Sequence, residues 1–365
     1  MNITFLIGNG FDRNLGLETT YADFIKHYKN TEGSSKILKN FRNYISDNEE
    51  LWKNAEVALG KYTQEFETGK GMGFSECQQD LCVHLVNYLK NEESKLSYDA
   101  FSEKVLSAFK NIVNPYKPFP TQERSVIRGI FDKRKSEVYN FDFICFNYTS
   151  TLDKCLEIVK KSSGALGQHL NGNVSYVHRI QEICHVHGTV EKEIVFAVND
   201  ETQIAKPDIF DFEDGEICKH FLIKQEANES YQENTDTKAK EILQKSAIIY
   251  IYGMSLGDTD KLWWKRICNW LKGSGERHLI IQNYKMGNRG VYQLNYQLEE
   301  KWKKKELLSF SDFDETTKNY LMSQIHITGD NIFSDINNVA KEITPKRSKI
   351  VENKEIVKQA QDDVG

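Results

Sequence analysis

The sequence predicts an α/β protein: a mostly parallel sheet interrupted by a large helical insertion. Three observations carry this. Short apolar runs end in glycine or asparagine turns, as buried parallel strands do: residues 1–7 before Gly8, 141–146 before Asn147, and 246–252 before Gly253. Helical patterns separate several of these runs. Between the first run and the second, residues 20–135 read mainly as helix.

The elements follow in order. Residues 1–7 form a strand that enters a tight turn at Gly8 and Gly10. Thr20-Tyr21-Ala22-Asp23 has the form of a capping box, with Asp in place of the usual Glu. Helical sequence then dominates to about Leu106, including residues 41–45, 51–66 and 77–89, with a flexible break at "GKGMG", 69–73. Residues 114–120 hold three of the five prolines and close this section. Strand signals return at "FDFICF", 141–146. Residues 183–187 and 194–198 form a hairpin or neighbouring strands. "SAIIYIY", 246–252, is the strongest buried-strand run, and 277–282 follows a helix. The expected organisation is a discontinuous sheet domain, 1–19 and 136–344, a helical insertion, 20–135, and a loose charged tail, 345–365.

A chain of 365 residues makes one large domain or two. Its 39% apolar and 28% charged residues are ordinary for a globular protein. A net charge of -5 gives no general pull toward nucleic acid or an anionic membrane. Seven cysteines without repeated spacing read as reduced thiols. No stretch is long and apolar enough to span a membrane, and the N-terminus lacks the pattern of a signal peptide, so a cytoplasmic protein is expected.

Four stretches carry candidate chemistry. In "GNGFDR", glycines after a strand let the backbone pass close to a pyrophosphate that the following amides can bind. A dehydrogenase fingerprint wants a small residue where Arg13 stands, and a second strand soon after. That region reads as helix, which disfavours hydride transfer; a glycine turn without a ligand stays open. In "FNYTSTLD", Asn147 can serve ribose hydroxyls or a water at a strand's carboxyl end. Equally, it is a turn residue, with Thr149 or Ser150 as a helix cap.

In "HVHGTV", His185 and His187 share one strand face at i and i+2. His187, before a glycine turn, suits a general base, and a hydrogen-bonded structural histidine is the plain alternative. Cys184 and His178 lie nearby, but no second cluster has ligand spacing, so no metal is expected. "YGMSLGDTD" repeats the strand and glycine-turn logic. It superficially matches the G-x-S-x-G nucleophile elbow, with Asp258, Asp260, His278 and His326 available as partners of Ser255.

As a set, "LIGNGFDRNLGLETTYADF", "LWKNAEVALGKY", "FNYTSTLD", "HVHGTV" and "IYGMSLGDTDKLWW" resemble the AbiH-type abortive-infection proteins of bacteria, in order up to about residue 285. More distantly, the chain is similar to sirtuin-like NAD-binding proteins. That likeness is carried by the turn at 8–10, Asn147 with Asp153 after it, His187-Gly188, and Gly253-x-Ser255. Phe11-Asp12 stands where the sirtuin turn normally has a small residue, and the sirtuin zinc cysteines are absent, which counts against protein deacylation. The resemblance implies a Rossmann-like parallel sheet of sirtuin type, a phage-defence role and an NAD-type site. The expected dinucleotide contacts are Gly8, Asn9, Gly10, Phe11, Tyr148, Gly188, Gly253, Ser255 and Asp260.

The chemistry expected of such a site is modest. The nicotinamide of NAD is already a cationic leaving group, and its departure passes through an oxocarbenium-like state. Asn147 orients the ribose, His187 serves as base, and Asp12 stabilises positive charge on the ribose. Glu56 faces the site from the helical insertion or is a solvated helix glutamate. The leading expectation is an NAD+ glycohydrolase, with NAD as substrate and no retained cofactor. A nucleotide sensor that binds without cleaving uses the same cradle. A nuclease is a second alternative, through "KWKKK" at 301–305 with Trp302, although a solvated helix face explains that run more simply. Partners left open are a phage-derived trigger, a partner defence protein and a homo-oligomer; no membrane is expected, and nucleic acid is disfavoured.

Overall fold

The computed structural model describes residues 1–230, 234–286 and 293–342; the expected tail at 345–365 lies outside them. Seven strands form one sheet: β1 (Asn2–Ile7), β2 (Asn140–Cys145), β3 (Gly167–Asn171), β4 (Val174–His185), β5 (Ser246–Tyr252), β6 (His278–Gln282) and β7 (Ile325–Thr328). Their order is β3-β4-β2-β1-β5-β6-β7. All pairings are parallel except β3 with β4, an antiparallel hairpin at one edge.

The central strands are apolar on both faces because helices cover both. On one face, Phe5, Phe141, Phe143 and Tyr250 pack with helices Ser102–Asn111, Thr121–Lys133 and Thr151–Ser163. On the other, Leu6, Ile144, Ile249 and Ile251 pack with helices Thr235–Lys245 and Lys261–Lys272. A third core has no sheet face in it. Helices Tyr21–Tyr28, Lys36–Asp47, Ala55–Tyr62 and Gly71–Glu93 enclose it together with Val190, Phe196, Ile204, Phe210 and Ile223, and it reaches the sheet through Tyr148.

The chain runs from β1 outward through β2 to β4, then returns to β5 and runs the other way to β7. The crossovers therefore diverge between β1 and β5, which opens a crevice at the carboxyl ends of these strands.

Several elements differ from the sequence reading. Residues 194–198 do not form a strand. Gly188, with φ 74°, reverses the chain, and only isolated bridges pair Gly188 with Ile194 and Val198 with Ile223. β4 is longer than expected and ends at His185, so His187 lies beyond it. Helical structure does not close at 114–120, since Pro120 instead precedes helix Thr121–Lys133. The capping box forms as read: the Asp23 amide donates to Thr20 Oγ1 (3.1 Å), and the Thr20 amide donates to Asp23 Oδ2 (3.2 Å).

Candidate active site

A cavity of about 280 Å³ opens at the carboxyl ends of β1, β2 and β5. The turns after these strands form one wall, and Thr19, Thr20, Tyr21, Lys53, Glu56 and Leu89 from the helical core form the other. The four stretches singled out in the sequence thus meet at one place.

The glycines bring two turns together. The Gly8 amide donates to Tyr252 O (2.9 Å) and the Gly10 amide to Gly253 O (2.8 Å). A Cβ on Gly10 would lie 2.3 Å from the Gly253 Cα, and Gly253 itself has φ 66°. These glycines allow backbone-to-backbone packing, and the Gly8 and Gly10 amides are engaged within the protein. Asn9 lines the cavity and ties this turn to the helical core. Its Nδ2 donates to Thr19 O (3.0 Å) and its Oδ1 accepts from Thr19 Oγ1 (2.5 Å). Phe11 points away from the cavity into the core, edge-on to Phe333 at 5.3 Å. Gly188 serves the turn after His187 and does not line the cavity, whereas Ser255 is exposed on its wall.

Asp12 is buried on the cavity wall. Thr149 Oγ1 donates to its Oδ2 (2.6 Å) and Thr151 Oγ1 to its Oδ1 (2.5 Å). Burial pushes its pKa up to about 6; the two hydroxyls pull the other way, and the Glu93 carboxylate adds to the rise. No lysine or arginine pairs with it among the described residues.

A buried charged network lines the opposite side. Glu56 Oε2 pairs with Lys224 Nζ at 2.9 Å, and Glu56 Oε1 accepts from Tyr21 OH at 2.8 Å and lies 3.0 Å from Tyr148 OH. Lys224 also donates to Thr259 O (3.0 Å) and lies 3.6 Å from Asp260 Oδ1. Asp260 Oδ1 in turn lies 3.4 Å from His187 Nε2. Burial disfavours the Lys224 ammonium, but Glu56 and Asp260 outweigh it and raise its pKa. Burial likewise works against the Asp260 charge, and Lys224, then His187, hold its carboxyl below the usual range.

Two side chains on the wall stand out by what they lack. Among the described residues, both polar atoms of the buried Asn147 amide lack a hydrogen-bond partner, and the buried His187 ring has only the long 3.4 Å approach of Nε2 to Asp260 Oδ1. Leaving such a group unpaired costs about 1–3 kcal/mol, and buried polar groups are otherwise almost always paired. They cluster on one cavity wall.

Other sequence readings part here. His185 and His187 do not share a setting: His185 pairs with Asp153 (2.8 Å) off the cavity wall, while His187 faces Asp260 across it. The serine elbow does not assemble. His278 and His326 bond to each other (2.9 Å) at the starts of β6 and β7, the end of the sheet opposite Ser255. In "KWKKK", Lys303 and Lys304 are paired with Glu306 and Glu300 on one helix, and Trp302 is exposed. No cluster of paired carboxylates with a lysine stands out along the sequence. The fold makes one, Glu56, Asp260 and Lys224, from three distant segments. Lys224 was the residue missed; its only signal is a charge directly after the apolar run Phe221-Leu222-Ile223.

A comparison with curated proteins finds no match. The family model described as Bacteriophage abortive infection AbiH matches residues 4–282, a span that includes every residue of the site described above. The chain belongs to the AbiH family of bacteriophage abortive-infection proteins.

Proposed function

We propose that this AbiH protein is an NAD+ glycohydrolase of sirtuin-like architecture that serves phage defence by cleaving the nicotinamide–ribose bond. The carrying observation is that the Asn147 amide, without a hydrogen-bond partner among the described residues, and the His187 ring, backed by Asp260, line one cavity at the topological switch point of a parallel sheet. In this reading the Asn147 amide orients the ribose hydroxyls and an attacking water. His187 accepts the proton that the water or a ribose hydroxyl gives up, and Asp260 steadies the imidazolium that forms. Asp12, without a cationic partner among the described residues, stabilises the positive charge that develops on the ribose. The phosphates lie along Asn9 and Ser255, because the Gly8 and Gly10 amides already have acceptors.

The cluster of Glu56, Asp260 and Lys224 gives less support to a nuclease. Both carboxylates face the Lys224 ammonium, and among the described residues no three His, Cys, Asp or Glu side chains converge as a metal site requires. Incubating the pure protein with NAD and measuring free nicotinamide tests the reading. Tight NAD binding without nicotinamide release would replace it with a nucleotide sensor.

A further inference from the structure

His185 ends β4 with its ring between two groups that can only accept hydrogen bonds. Nε2 lies 2.8 Å from Asp153 Oδ2, and Nδ1 lies 3.3 Å from the main-chain oxygen of Asn147. A neutral imidazole has one N–H and one lone pair, so one of these contacts would oppose lone pair to lone pair. Both are satisfied only when both nitrogens carry protons. Burial opposes that charge. Cys145 on β2 and the Asp153 carboxylate outweigh it and raise the ring's pKa above the ordinary histidine value.

The consequence falls on Asn147. Among the described residues its side chain has no hydrogen-bond partner, so its aim rests mainly on its main chain. The Asn147 carbonyl is gripped by His185. Asp153, in the first turn of helix Thr151–Ser163, anchors the other side of the ring.

We propose that His185 is an imidazolium clamp, a positioning residue that ties the main chain of Asn147 to Asp153 and so holds the Asn147 amide on the cavity wall. Its effect on turnover rests on the proposed function; its protonation and its grip on Asn147 are properties of the free protein. Supporting groups of this kind fix the geometry of the residues that touch a substrate.

NMR of the full chain labelled at histidine ring nitrogens tests the clamp, with the His185 signal assigned by its loss in His185→Gln. At pH 8 an ordinary histidine is almost wholly neutral. Both His185 nitrogens should still be protonated there, and Asp153→Asn should lower the pH at which the ring loses a proton. The Asp153 side chain is 33% exposed, so that variant leaves the core intact. A neutral His185 at pH 8 in the wild type overturns the proposal. The side-chain amide signals of Asn147, assigned through Asn147→Ala, provide the second readout. They should shift in both His185→Gln and Asp153→Asn, and unchanged signals overturn the proposal. Where nicotinamide is released, both variants should lower kcat more than they raise KM. No release by the wild type would refute the glycohydrolase reading alone, because both spectra are read without substrate.

Discussion

Gly10 and Gly253 touch, backbone against backbone. The Gly10 amide donates to Gly253 O at 2.8 Å, and a Cβ on either residue would lie under 3 Å from the other's main chain. The contact joins the turns after β1 and β5 at the point where the sheet's crossovers diverge. Gly10→Ala and Gly253→Ala should each lower stability by about 1–3 kcal/mol, the usual range for overpacking, with added strain at Gly253 from its positive φ. Urea unfolding checks this. An unchanged midpoint in either variant would show that the two turns do not pack as described.

Asp12 sets a pH dependence of known sign. Its carboxyl titrates near 6 in the folded protein, against an ordinary value of 3.8. Between these values the folded state holds a proton that the unfolded state has released, so this group's contribution to stability falls as pH rises from 4 to 6. Two units correspond to about 3 kcal/mol. The unfolding free energy of Asp12→Asn relative to wild type should therefore rise by about 2 kcal/mol from pH 4.5 to pH 7. Asp142, also pushed up to about 6 by burial, is present in both proteins and cancels. A difference that stays flat with pH would contradict the assignment.

Lys224 holds two buried carboxylates together. Lys224→Met leaves Glu56 and Asp260 without their ammonium and should cost about 3–5 kcal/mol. Adding Glu56→Gln should recover part of that loss, since it removes one of the unpaired charges. Thermal unfolding of the three proteins decides; a single variant as stable as wild type would contradict the network.

His187→Ala should reduce turnover by about 10²–10⁴-fold while changing NAD affinity little, as loss of a general base does. His185→Ala is not a neutral control beside it, because His185 bonds to the main chain of Asn147. Steady-state kinetics separate kcat from KM. A His187→Ala protein with wild-type kcat would remove this residue from the mechanism.

Much of the fold was legible because buried parallel strands are apolar throughout. β5 has all seven residues buried, and β1 and β2 are nearly so. β3, "GQHLN", and the first half of β4 were not legible: they form an exposed edge hairpin, where no periodic apolar signal is needed. β7 is only four residues, "IHIT", too short to distinguish from a loop. The cavity lining was legible where residues follow strand ends, as Asn147 and His187 do. Lys224 was not, because its burial depends on Glu56 and Asp260, 168 and 36 positions away in sequence. In sequence the glycine turn suits a phosphate cradle or a turn without a ligand, and only the fold shows the Gly8 and Gly10 amides donating to Tyr252 and Gly253.

The central claim is tested most directly by one assay: nicotinamide released from NAD by the wild type and by Asn147→Ala at equal concentration. The Asn147 amide makes no hydrogen bond among the described residues, so its removal should leave stability within about 1 kcal/mol of wild type, and the comparison is between two folded proteins. The account predicts steady release by the wild type and none above background by Asn147→Ala. Equal rates from the two proteins, or no release by the wild type, would contradict it.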